Sequence, residues 1–111
     1  MIVDDLKVQW DYNKHLHQTL RESYEVEQNL EVRAKLLKHA DESEALDNQY
    51  WQMLINHIQE MDAIANDPNL RGLEQYEKLT KCSDEFKPFV EQYELKCIQL
   101  HDELIRIKQS R

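Results

Sequence analysis

The sequence predicts an all-α fold, a single antiparallel bundle of three to four helices. One glycine and two prolines in 111 residues leave almost none of the turn chemistry that a sheet requires. Helix-favouring Glu, Gln, Lys and Leu dominate the composition. Apolar residues recur at three- and four-residue spacing through long stretches without a breaker. A chain of this length buries a core without disulfide or metal staples, so residues 1–111 are expected to form one helical-bundle domain.

The first helix is expected over about 3–40, where neither glycine nor proline occurs and Leu6, Trp10, Leu20, Tyr24, Leu30, Ala34 and Leu37 form an apolar stripe. Asn13, His17 and Glu27 interrupt that stripe. Polar residues on a helix seam fix register at some cost in stability, whereas on its border they are merely solvated. The first corner is expected near 39–44, where Asp41 or Ser43 can cap and Glu42 and Glu44 suit a positive helix start.

A second helix follows over about 44–66. Its body, ALDNQYWQMLINHIQEM, carries only Asp47 and Glu60 as charges, and its large side chains spread over a wide arc. Such a helix is buried on more than one side, which makes it the central one. Asn66-Asp67-Pro68 is the clearest break in the chain: Asp67 is a good N-cap and Pro68 suits the first helical position. The third helix is therefore expected over about 68–82, with Gly72 in its first turns costing about 1 kcal/mol against alanine and hinting at a close contact.

The fourth, over about 85–109, contains FKPFVEQYELKCIQLHDELIRI, in which Phe86, Val90, Tyr93, Cys97, Leu100, Leu104 and Ile107 share one seam. Ser83 or Asp84 can cap it, and Pro88 then falls in its first turns, where it removes about one backbone bond. The unbroken heptad frame offers the other arrangement, in which the last two helices are one long kinked helix. With a first helix near 57 Å and a second near 33 Å, that long helix overshoots the bundle and its seam becomes a dimer interface. A break before Pro88 instead turns the seam onto the chain's own core.

The net charge of -8 lies in one segment. Residues 1–40 carry seven acids and six bases, 68–111 carry eight of each, and 41–67 carry seven acids with no Lys or Arg. Phosphate binding needs clustered bases, so nucleic acid is not an expected partner. No apolar run reaches the roughly 18 residues of a membrane span, and MIVDD at the start has no signal-peptide pattern, so a cytoplasmic protein without membrane contact is expected. Cys82 and Cys97 on one helix are about 22 Å apart and read as reduced thiols.

Catalytic signatures are missing. None of the five histidines is preceded at three residues by glutamate, as a di-iron bundle requires. Cys97 and His101, four apart with Glu94 nearby, allow a zinc half-site stereochemically, but a small core hydrophobe is the plainer role for Cys97. The serines sit in helix or cap contexts, and no glycine loop can cradle a phosphate. No enzyme activity, cofactor, metal or small-molecule substrate is inferred.

The expected function is a non-enzymatic helical protein-protein interaction module, an adaptor, assembly subunit or small chaperone. Its partner is another protein or itself, as a homodimer through a coiled-coil-like seam. Candidate partner-binding residues are Tyr50, Trp51, Leu54, Ile58, Tyr93, Leu100 and Leu104, aromatic and aliphatic side chains in charge-poor stretches. The alternative is an acidic inhibitor or nucleic-acid mimic, occupying a basic site on a target through Asp41, Glu42, Glu44, Asp47, Glu60 and Asp62.

Overall fold

The chain's computed structural model describes residues 2–110, which form three helices and no strand. These are α1 (Ile2–Glu25), α2 (Leu30–Ala65) and α3 (Gly72–Gln109). The first helix ends fifteen residues before its expected corner, since the turn lies at 26–29 rather than 39–44. Asn29 is the reason: its side chain accepts from the backbone N–H of Glu31 (3.1 Å) and Val32 (3.2 Å), satisfying donors that a helix start otherwise leaves bare. Arg33 holds the turn from the far side, its Nε donating to the Glu27 carbonyl at 2.8 Å. Glu27 thus belongs to the turn and does not interrupt a stripe.

The expected corner at 39–44 is mid-helix. His39 and Ala40 are buried there, and Asp41 and Glu44, three apart on one face of α2, both bind Arg21 of α1. These acids act as partners for a neighbouring helix and not as caps.

The break at Asn66-Asp67-Pro68 is present, but it holds a turn where the start of the third helix was expected. Asp67 Oδ1 accepts from the Asn69 N–H at 2.9 Å and the Asp67 carbonyl from the Leu70 N–H at 3.2 Å. Gln75 reaches back to donate to the carbonyls of Ile64 and Ala65, closing the end of α2. Helix α3 starts only at Gly72, whose φ of +58° lies in the left-handed region. Nothing lies within 4 Å of a Cβ added there, so Gly72 serves the backbone turn and not a close contact.

No break occurs at 82–84, and α3 runs through Pro88 as one helix. Ser83, Asp84 and Glu85 face solvent, so continuing the helix buries no polar side chain. Cys82 is buried with its Sγ 3.7 Å from His57 Nδ1, and Phe86 stacks on the His57 ring at 4.1 Å. Pro88 costs about 3 kcal/mol in a helix interior, while each well-buried large side chain of the seam returns about 1.5–3 kcal/mol. Packing on α2 outweighs the proline.

The earlier turn also resolves the length mismatch. At 1.5 Å per residue α2 is about 54 Å long and α3 about 57 Å, so the seam of α3 lies along its own chain's α2 and does not overshoot it. Successive contacts are His57 with Phe86, Tyr50 with Tyr93 (ring centroids 4.0 Å, stacked) and His39 Nε2 with the Leu100 carbonyl (2.7 Å). On its other side α2 meets α1, through Trp10 with Asn48 (2.8 Å), His17 with Asp47 and Arg21 with Asp41 and Glu44. The backbones of α1 and α3 do not approach each other.

The molecule measures 62 × 24 × 12 Å. Three helices side by side at 8–10 Å spacing are about 20–25 Å wide and little more than one helix thick, whereas a triangular arrangement has two similar short dimensions. The helices form an open layer with α2 in the middle. Its best-buried cluster is at one end, where Tyr24, Val32, Leu36 and Ala40 meet Ile107, with Leu37 and Leu104 packed against them.

Candidate functional site

Because the backbones of α1 and α3 flank α2 without approaching each other, they bank a groove whose floor is α2. Leu20 and His17 line it from α1, Ser43 and Asp47 from the floor, and Cys97, His101 and Leu104 from α3. The residues described as lining it include no Lys, Arg or Glu.

Asp47 is the polar centre of this groove. The His17 Nε2–H donates to its Oδ2 at 2.6 Å, Asn13 Nδ2 donates to the same oxygen at 3.2 Å, and the Tyr93 hydroxyl donates to Oδ1 at 2.6 Å. One carboxylate on the middle helix therefore holds both outer helices. Next to it, Asn48 accepts from the Trp10 indole N–H, and Lys14 lies 4.3 Å over the Trp10 ring. Asn13 and His17, which break the apolar stripe of α1, are thus seam residues that fix its register on α2. Burial, helped by the Asp47 hydrogen bond and the nearby Cys97, pushes the Tyr93 hydroxyl well above the usual tyrosine range.

The line of α2 that carries Asp47 is apolar further on. Ser43, Asp47, Leu54, Ile58 and Met61 are spaced by four, seven, four and three residues, which keeps them on one line of the helix, and the last three are half-buried. Ile98 and Ile105 share a line with His101 on the α3 bank and are exposed, as are Leu16 and Leu20 on the α1 bank.

The candidate partner-binding residues divide accordingly. Tyr50 and Tyr93 stack on each other, Leu104 packs against the core cluster, and half-buried Leu100 lines the groove beside it, so these four serve the α2–α3 contact first. Leu54 and Ile58 are half-buried on the line of α2 that passes through Ser43 and Asp47. Trp51, half-buried, meets Tyr50 edge-on with centroids 6.4 Å apart. Of the exposed apolar side chains Val8, Tyr12, Leu16 and Leu20 on α1, sequence singled out Leu20 alone, as part of the packing stripe. Their signal was present in the strict four-residue spacing of Val8, Tyr12, Leu16 and Leu20, a second stripe beside the one that packs on α2.

The acidic residues are likewise dispersed. Asp41 and Glu44 pair with Arg21, Asp47 is in the groove, and Asp62 Oδ1 accepts from Asn66. Glu42 and Glu60 are exposed. Glu60 also helps burial to raise the Cys82 thiol above its ordinary value, which makes that sulfur a poor nucleophile.

Among the described residues no group of three or more His, Cys, Asp or Glu side chains could hold a metal ion, and no helix is long and apolar enough to cross a membrane. Compared with known proteins, the chain matches no family model, no curated protein and no solved structure.

Proposed function

We propose that this chain is a non-enzymatic protein-protein interaction module, an adaptor, assembly subunit or small chaperone. It is an antiparallel three-helix layer whose groove receives an apolar helix face. The observation that carries this reading is the open groove itself. Three amphipathic helices in one layer leave the space that a fourth occupies in a complete bundle, and here that space is lined by Leu20, Leu46, Leu100 and Leu104, with half-buried Leu54, Ile58 and Met61 further along the same line of α2. Helix-in-groove recognition uses such a surface. The Asp47 hydrogen bonds preset its width, which lowers the ordering cost of binding.

The acidic-mimic reading has less support. A mimic presents unpaired carboxylates in an array, and here Arg21 neutralises two of the six and the helices consume a third. The two readings separate by comparing complexes formed by the full chain carrying Ile58→Glu with those formed by Glu42→Lys/Glu60→Lys/Asp62→Lys, at low and high salt. A groove module loses its complexes with Ile58→Glu and holds them in salt. Loss only on charge reversal, with strong salt dependence, overturns the groove reading.

A further inference from the structure

We propose that the occupant of the groove is a second copy of this chain, docked two-fold so that the exposed stripe of α1 on each copy lies in the groove of the other. This rests on reading the groove as an interaction surface and adds the identity of the partner.

The first argument is area. A compact monomer of 13.4 kDa exposes about 6,500 Å², and this chain exposes 8014 Å². The surplus of about 1,500 Å² per chain is nearly twice the roughly 800 Å² that each partner hides in a standard interface. Doubled, it falls within the 2,000–5,000 Å² of permanent homodimers.

The second argument is continuity. A two-fold interface needs plug and socket on one face of the same molecule. Leu20, 39% exposed, lines the groove, and Leu16, 50% exposed, lies one turn before it on α1, while the same four-residue steps carry Tyr12 and Val8, 61 and 64% exposed, progressively round to the outer side. The Leu16–Leu20 end of the stripe thus adjoins the socket. With the partner's α1 in place, each groove gains the fourth helix of a bundle.

The third argument is charge. Two chains of net charge -8 repel, and a stable contact between them must avoid opposing carboxylates. The groove lining offers no Lys, Arg or Glu, and Asp47, its one acid, already accepts three hydrogen bonds. The socket therefore adds little charge repulsion of its own to the contact.

The test is the solution mass of the full chain by sedimentation, with the variants Leu16→Glu, Ile98→Glu and Leu95→Glu. All three positions are exposed, so helicity by circular dichroism stays at the wild-type level. The wild type is expected at twice 13.4 kDa, Leu16→Glu and Ile98→Glu at 13.4 kDa, and Leu95→Glu, off the groove bank, as a dimer. A dimer that survives both Leu16→Glu and Ile98→Glu overturns the inference. So does a monomeric wild type. Complexes of the full chain with other proteins that Ile58→Glu then abolishes keep the interaction-module reading while self-association falls. Complexes indifferent to Ile58→Glu remove both.

Discussion

Asp47 shows how one side chain decides packing here. It accepts hydrogen bonds from Asn13, His17 and Tyr93, and removing it leaves those donors partly buried and unpaired. Asp47→Ala should cost about 2 kcal/mol in denaturant unfolding, and Asp47→Asn less, because the amide oxygen still accepts. Tyr93 supplies a pH signature of the same contact. Its folded pKa is raised above the unfolded value of about 10, so its contribution to stability is complete below pH ~10 and is lost as pH rises beyond that. Tyrosinate absorbance should show Tyr93 ionising well above the ordinary tyrosine range, and Tyr93→Phe should remove its share of the lagging absorbance. Gly72 is the other decisive residue. At φ +58° an alanine costs about 1–2 kcal/mol although it meets no neighbour, so Gly72→Ala should lower stability by that amount in equilibrium unfolding.

Helix boundaries were the least legible part of the sequence, and the physical reasons differ at each. The turn at 26–29 contains no glycine or proline, so its only signals were Asn29 as a cap and the six-residue step from Tyr24 to Leu30, which breaks helical spacing. The cluster at 41–44 resembles a cap because Asp, Ser and Glu favour helix starts, yet those acids answer Arg21 on another helix, a partner only tertiary structure reveals. Ser83, Asp84 and Pro88 misled in the same way, since the Cys82 and Phe86 contacts with His57 carry α3 through. Replacing the cap, Asn29→Ala, should destabilise the chain by about 1 kcal/mol, with Asn29→Gly costing only a few tenths, both read by thermal unfolding. The all-helical composition, the wide apolar arc of the middle helix and the seam of residues 86–107 were legible, because each is a matter of periodicity that no distant residue alters. The groove was legible only in pieces. Leu54 and Ile58 stood out as apolar, whereas Asp47, grouped with the surface acids, gave no sign of its three partners.

At the scale of the molecule the account rests on an open layer. A radius of gyration of 18.8 Å is well above the roughly 13 Å of a compact domain of this length, and the cause is the length of α2 and α3, about 54 and 57 Å, while the openness of the layer shows in its unequal short dimensions of 24 and 12 Å. Few side chains are fully buried as a result. The interaction-module reading and the two-fold docking are both proposed from that geometry. The most direct test is small-angle scattering of the monomeric chain, using Leu16→Glu where the native chain self-associates. The account predicts a flat particle about 62 Å long whose two short dimensions differ, near 24 and 12 Å, and a particle of that length with two similar short dimensions, showing the groove closed by the chain itself, would contradict it.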